Sequence, residues 1–459
     1  MSFVRDADLL RGMAISSCTK QQKNTTAKSD EISTVIRHRT NSRFEPTSEV
    51  PATFRTITLI GRRVDIVSVG SVDEMHHPAG PNARLIGKPG GLRELTTPAL
   101  VLDLEAFEQN IGTYQHQINL HGLRARPHAK SHKCAEIARR QIAAGAVGIC
   151  AASLHEAEAM AGKGIDNILI TSPVVGAGKL DRLMQLLERG AVVAVVVDDQ
   201  DYAVSLAAAA HRAGHGSADV LDALIDVDLG MGRTGIGNID SALQLVDVVC
   251  AAEGISYLGL QAYSGRVQHI KEFAERDHVY TGQLRFLSAL IAALDKRGLK
   301  PATVSGGGTG TLALDCREGI LTEHQAGSYI FMDVEYGAVT LRANDAEAAF
   351  DTSLFLHSTV ISKNVPGRVT IDAGLKSFAT DGPLPRVSAW APAGTTYSFL
   401  GDEHGCLTFP TPTDCLPLGG IVALVTPHCD PTINLHDYLH VVRHDTIVDI
   451  WQIAGRGVL

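Results

Sequence analysis

The run Ala191-Val192-Val193-Ala194-Val195-Val196-Val197-Asp198 is followed by an amphipathic stretch, Tyr202–Ala213, and then by Gly214. The first piece is apolar and valine-rich, as a buried strand requires. The second carries apolar residues at helical spacing, and the glycine suits the positive φ of a helix C-cap. The same unit recurs on both sides. Ala99–Leu104, Leu123–His128, Val147–Ala152, Asn167–Thr171, Leu221–Asp228, Tyr257–Gln261 and Ala302–Ser305 read as further strands, and another apolar run follows at Ser328–Met332. Helical patterns alternate with them at Glu105–Leu120, Lys133–Ala144, Leu154–Gly162, Lys179–Glu188, Ser241–Ala252 and Arg276–Lys296, with Gly122, Gly145, Gly190 and Gly254 as punctuation. Repeated strand–helix units imply parallel strands. Eight of them over about 240 residues suit a closed TIM-type (β/α)8 barrel better than an open sheet.

The helical signal fades after residue 340. Leu354–Ser362, Gly367–Asp372, Thr396–Leu400, Ile421–Thr426 and Tyr438–Arg443 read as strands, and the last pair, His440 to Trp451, turns at His444–Asp445. The expected organisation of this α/β chain is therefore an N-terminal extension over 1–95, a barrel over 96–340 and a mainly β domain over 341–459. Residues 14–50 are polar and 55–69 read as a strand pair. Organelle-targeting peptides are poor in acids, so Asp6, Asp8, Asp30 and Glu31 count against import, and a cytoplasmic location is the default.

Composition removes several function classes. No apolar run approaches the ~20 residues of a membrane helix. With 41 Lys+Arg against 50 Asp+Glu the net charge is −9, which gives no general electrostatic case for nucleic acid or an anionic membrane surface. The eight cysteines form no CxxC pair, so neither a zinc ribbon nor a thioredoxin motif is present, and reduced thiols are expected.

A barrel places its active site at the C-terminal ends of its strands, so the residues just after each apolar run are the candidates. Arg126-Pro127-His128-Ala129-Lys130-Ser131-His132-Lys133 follows the second run. A lysine there, flanked by Lys133 and histidines, is expected to have a lowered pKa and to serve as an amine nucleophile; the plain alternative is a surface lysine at a helix start. Gly230, Gly232 and Gly235 form a literal GxGxxG around Arg233, but on the sixth run of a series, where a dinucleotide fingerprint is out of place. Ser305-Gly306-Gly307-Gly308-Thr309-Gly310-Thr311 offers backbone amides and hydroxyls for a phosphate, or is merely a tight turn. Tyr263 is a polar-tipped aromatic at the mouth. In Pro427-His428-Cys429-Asp430-Pro431, extended backbone would turn His428 and Asp430 to one side and Cys429 to the other, a sparse metal-ligand pair with positions left for water and substrate. Lysine, phosphate nest and arginine together are what pyridoxal phosphate needs.

Thr97–Leu104, Arg126–Lys133, Gly230–Gly235, Ser305–Thr311, Gln325–Tyr329 and His428–Asp430 jointly resemble the D-threonine aldolase family, and more distantly eukaryotic D-serine dehydratase and alanine racemase. The likeness runs from about Thr97 to Gly455. It implies a fold-type III pyridoxal phosphate enzyme, a head-to-tail homodimer, cleaving D-threonine and other D-β-hydroxy amino acids to glycine and an aldehyde. It places Lys130 on the Schiff-base lysine, Arg233 on the phenolate side of the cofactor, and Gly306, Gly307, Thr309, Gly327 and Ser328 on phosphate-binding segments. Tyr263 falls on a cofactor-pocket position. Water or a nearby histidine, with His128 as the candidate on the lysine turn, would accept the hydroxyl proton. His428 and Asp430 match the divalent-metal pair, with Mn²⁺ or Mg²⁺ expected and Zn²⁺ or Co²⁺ as alternatives. The related dehydratases have His-x-Cys there, so Asp430 favours an aldolase over a D-serine or hydroxyaspartate dehydratase. A non-catalytic pyridoxal phosphate carrier is the alternative of another class, and residues 345–459 speak against it.

Overall fold

The structure, a computed structural model, describes residues 80–214, 221–343 and 350–457 together with the backbone of a separate antiparallel hairpin, Thr56–Leu59 with Arg62–Asp65. The hairpin lies within the expected 55–69 strand pair. The remainder of the expected extension, to residue 79, falls outside the described residues, so the reading of 14–50 does too.

Eight parallel strands form the barrel: β1 (Arg124–Ala125), β2 (Ile149–Ala151), β3 (Ile168–Ile170), β4 (Val193–Val197), β5 (Leu221–Asp228), β6 (Ile255–Tyr263), β7 (Thr303–Gly306) and β8 (Glu323–His324). Hydrogen bonding runs β1-β8-β7-β6-β5-β4-β3-β2. The ring closes between β1 and β2 through a parallel bridge, His128 to Cys150, with the Cys150 N–H donating to the Pro127 carbonyl at 2.8 Å. Side chains alternate along the strands. Cys150, Leu169, Val196 and Leu224 form one apolar cluster, while their neighbours Ile149, Ile168, Ile170, Val195 and Val197 pack in the main core with the helices.

Local chemistry explains the helix limits. Asp103, Ser153, Asp199 and Asn238 each accept N–H groups of the first turn of Leu104–Leu120, Leu154–Ala161, Gln200–Arg212 and Ile239–Ala251. Gly122, Gly145, Gly190, Gly214 and Gly254 all have positive φ, as their placement after helical patterns anticipates.

Two strand assignments change. Ala99–Asp103 is not the first barrel strand. It lies in the C-terminal sheet, antiparallel to Leu354–Val365 and parallel to Tyr438–Arg443. An apolar run does not name its partner, and only the fold brings residues 99 and 439 together. The eighth barrel strand is instead the two-residue Glu323–His324, too short to leave a periodic signal. Ser328–Met332 is no strand; it contains the 3₁₀ turn Ser328–Ile330. Each mouth loop consequently counts one strand earlier than its sequence position suggests. The β domain has two strands the sequence reading omits, Arg386–Ala389 and Gly405–Thr408.

Candidate active site

The expected residues converge on the C-terminal mouth of the barrel, where the β domain covers it. Lys130 sits on a 3₁₀ turn, Ala129–Ser131, directly after β1. The turn is fixed by His128: the Lys130 N–H donates to His128 Nδ1 at 3.3 Å, and His128 Nε2 lies 3.1 Å from Thr171 Oγ1. Thr171 in turn donates to the Ala151 carbonyl at 3.2 Å. These roles select the Nε2–H tautomer of a neutral imidazole, and burial, reinforced by the Lys130 charge, holds His128 well below the ordinary histidine range. Both of its nitrogens are thus engaged.

Lys130 meets Asp430 of the β domain, Nζ to Oδ2 at 2.8 Å. The Asp430 charge outweighs burial and, with Tyr263 adding to it, holds the ammonium above its ordinary range. This reverses the expectation of a lowered pKa. The neighbouring Lys133 and His132 are visible in the sequence, but burial lowers His132 to about 4 and leaves it neutral, and the carboxylate facing Lys130 comes from 300 residues away. Burial works to raise Asp430, yet Lys130, aided by His428, wins and keeps its carboxyl ionised below the usual range.

The His428–Asp430 geometry differs from the extended chain expected. His428 is extended, but it caps a short helix, Cys429–Ile433, so Asp430 already lies in helical backbone. Asp333 holds this helix start by accepting the Cys429 N–H at 2.8 Å and the Tyr336 N–H at 2.8 Å. Burial pushes Asp333 up to about 6. Among the described residues no group of three or more His, Cys, Asp or Glu is arranged to hold a metal ion.

The glycine-rich loop after β7 is packed too closely for other residues. A Cβ at Gly306 would lie 2.0 Å from the Ala262 carbonyl oxygen. At Gly307, with φ +73°, a Cβ would meet Asp315 Oδ2 at 2.5 Å and the His324 ring at 2.7 Å. The loop after β8 is tied to it by the Tyr329 N–H, which donates to Thr309 Oγ1 at 3.0 Å. Gly327 packs against the lysine turn, where a Cβ would sit 3.1 Å from the His128 carbonyl oxygen. Among the described residues, the N–H groups of Gly307, Thr309, Gly327 and Ser328 have no protein acceptor. These are donors suited to a phosphate.

The Gly230–Gly235 loop works differently. Asp228 Oδ1 accepts the N–H groups of Gly230, Met231 and Gly232 at 2.9, 2.7 and 3.2 Å. Gly235 N–H donates to Asp198 Oδ2 at 3.0 Å, so all three glycine amides of the loop are already taken and it presents an arginine and not a phosphate nest. Arg233 lies 5.8 Å from the centre of the Tyr263 ring, at the end of β6.

Three groups near the metal-candidate pair escaped the sequence reading. Asp381 Oδ2 is 2.9 Å from His428 Nδ1. His269 stacks edge-on to His428, centroids 6.4 Å apart, with Glu335 3.2 Å from its Nδ1. Burial is the main cause lowering the His269 pKa, against the opposing pull of Glu335. His269 follows β6 by a few residues, so the rule of looking beyond each strand end could have found it. Asp381, on a β-domain loop, carried no such signal.

Two family models match the barrel and the β domain. Residues 102–335 match the family model "Alanine racemase, N-terminal domain" and 353–442 match "Putative serine dehydratase domain". The chain is similar to a D-threonine aldolase from Arthrobacter sp, 41% identical over 81% of this chain and 95% of the relative. It is 36% identical to a 3-hydroxy-D-aspartate aldolase from Paracoccus denitrificans, over 79% of this chain and 93% of that one. The crystal structure of D-threonine aldolase from Filomicrobium marinum superposes with a TM-score of 0.75 at 38% identity, covering 80% of this chain and 96% of that chain. A shared barrel, a shared second domain and identity at this level over nearly the whole length of the relatives lead to one assignment: the chain belongs to the D-threonine aldolase family of fold-type III pyridoxal phosphate enzymes.

Proposed function

We propose that this chain cleaves D-threonine and related D-β-hydroxy amino acids to glycine and an aldehyde, using pyridoxal phosphate at Lys130 and a divalent cation at His428 and Asp430. The observation that carries the reading is the meeting of Lys130 with Asp430 across 2.8 Å, which brings the candidate cofactor-linking amine and the candidate metal-binding carboxylate together at the barrel mouth.

The residues fit pyridoxal phosphate. The unpartnered amides of Gly307, Thr309, Gly327 and Ser328 would take the phosphate, and the close packing at Gly306 and Gly307 leaves no room for a side chain at either position. Lys130 would form the covalent linkage, with Arg233 and Tyr263 beside the ring. The bound cofactor supplies an electron sink for the charge left on Cα when the Cα–Cβ bond breaks. An imidazole and a carboxylate suit Mn²⁺ or Mg²⁺, and also Zn²⁺ or Co²⁺; a cation there polarises the β-hydroxyl.

The chain's own groups divide the remaining work. His128, engaged at both nitrogens, orients the lysine turn. His269, held below its ordinary range by burial and with Glu335 3.2 Å from its Nδ1, is the better placed acceptor for the hydroxyl proton. Asp381 orients the His428 ring through Nδ1, leaving Nε2 for the cation. A head-to-tail homodimer is part of the proposal by family likeness. Among the described residues no helix is long and apolar enough to cross a membrane.

The test is D-threonine turnover with and without Mn²⁺. Glycine with acetaldehyde supports the proposal; a 2-oxo acid with ammonia identifies a dehydratase instead. Full activity in excess chelator would remove the cation from the scheme.

A further inference from the structure

Lys130 and Lys133 leave the same turn and reach the same short helix. Lys130 Nζ is 2.8 Å from Asp430 Oδ2, and Lys133 Nζ donates to Asn434 Oδ1 at 2.7 Å. The acceptors stand four residues apart, about one helical turn, so the lysines form two parallel struts from the barrel to the β domain. Lys133 takes left-handed backbone, φ +49°, a conformation that L-residues rarely adopt. Its side chain is 12% exposed, and its ammonium also lies 3.2 Å from the buried Glu156. Glu156 is fixed in turn by the Ala152 N–H at 2.7 Å. The C-terminal segment closes over the same joint: Gly455 N–H donates to the Lys133 carbonyl at 3.0 Å and Gly457 N–H to Asn434 Oδ1 at 2.9 Å. Lys133 is therefore committed to Asn434 and Glu156 and faces no reacting atom.

We infer that Lys133 is a positioning residue for the metal pair: its strut to Asn434 sets the height of Asp430 and His428 above Lys130, so cation affinity depends on it while cofactor linkage does not. The inference rests on His428 and Asp430 being the metal pair proposed above. Aldolase activity needs the cation and the cofactor in one geometry, and they are held by different domains. A link between the lysine turn and the metal-bearing helix is what keeps the two in register.

The experiment titrates Mn²⁺ into the cofactor-loaded enzyme and follows free Mn²⁺ by electron paramagnetic resonance. Asn434→Ala removes the strut and the Gly457 contact with it, yet leaves Lys133 paired with Glu156 and its carbonyl bonded to Gly455. The expected result is Mn²⁺ binding weakened roughly 10- to 100-fold, with the visible absorbance of the lysine-bound cofactor unchanged and the Tm lowered no more than the loss of the Gly457 hydrogen bond accounts for. Lys133→Arg, which keeps a donor for Asn434, should hold Mn²⁺ more tightly than Lys133→Met. Wild-type Mn²⁺ affinity in Asn434→Ala would overturn the inference. So would a joint loss of Mn²⁺ affinity, cofactor absorbance and Tm, which would show general damage. His428→Ala is titrated alongside. Its weakening with Asn434→Ala intact defeats the strut alone, whereas unchanged affinity in His428→Ala defeats the metal reading and the strut with it.

Discussion

Replacing Gly307 by alanine adds one methyl group, and the structure shows where it would go. The new Cβ would stand 2.5 Å from Asp315 Oδ2 and 2.7 Å from the His324 ring. Neither neighbour can yield cheaply. Asp315 and His324 are fully buried and paired at 3.1 Å, and Asp315 also accepts the Tyr280 hydroxyl at 2.7 Å. Alanine at φ +73° adds about 1–2 kcal/mol of left-handed strain, and overpacking a filled site adds about 1–3 kcal/mol. The sum is about 2–5 kcal/mol. If the loop shifts to relieve it, the Gly307 and Thr309 amides leave the phosphate position. Cofactor affinity should then fall by roughly 30-fold to several thousandfold. If the loop holds, the same cost appears as a lower Tm. Equilibrium titration of the apoprotein with pyridoxal phosphate, paired with calorimetry, reads both routes. Gly122→Ala is the control, since Gly122 has φ +67° but nothing within 4 Å of a Cβ. It should cost about 1–2 kcal/mol of stability from left-handed strain alone and leave cofactor affinity unchanged. A Gly307→Ala protein with wild-type affinity and wild-type Tm would refute the packing argument.

Other consequences are simpler to state. Lys130→Ala should abolish both the visible absorbance of the lysine-bound cofactor and aldol cleavage; retained turnover would sink its role. His428→Ala should keep that absorbance but lose Mn²⁺-dependent cleavage, read by glycine release at a series of Mn²⁺ concentrations. Asp381→Asn should weaken Mn²⁺ binding roughly tenfold or more by loosening the His428 ring, and equal affinity in the two proteins would show that Asp381 is a bystander. Burial lowers His440, on the β-domain sheet, to about 4. Its folded pKa lies below the unfolded value, so its stabilisation is complete above about pH 6.5 and is lost as pH falls toward 4. His440→Gln should flatten the dependence of Tm on pH over that window, and an unchanged slope would count against it.

The strand–helix alternation from residue 123 onward, the glycine C-caps and the C-terminal β domain were all legible in the sequence. They arise from local rules: apolar period and glycines at positive φ. The mouth loops were legible for the same reason, because a barrel puts its chemistry just beyond each strand, and Lys130, Arg233 and Gly307 all follow one; Ser328, beyond the unread strand Glu323–His324, came only from the family resemblance. Long-range pairing was not. Ala99–Asp103 reads as a barrel strand until Leu354–Val365 and Tyr438–Arg443 claim it as a partner on either edge. Glu323–His324 completes the barrel with two residues and no periodicity. The lysine's environment likewise depended on the fold. The sequence around it is cationic and argues for a lowered pKa, whereas the folded chain brings Asp430 to 2.8 Å and reverses the direction. Coulomb energy falls with distance in space and takes no account of separation along the chain. The sequence by itself determined the elements and the kinds of side chain at the mouth. Only the tertiary structure decided which charge stands opposite Lys130, which carboxylate orients His428, and which lysine holds the two domains in register.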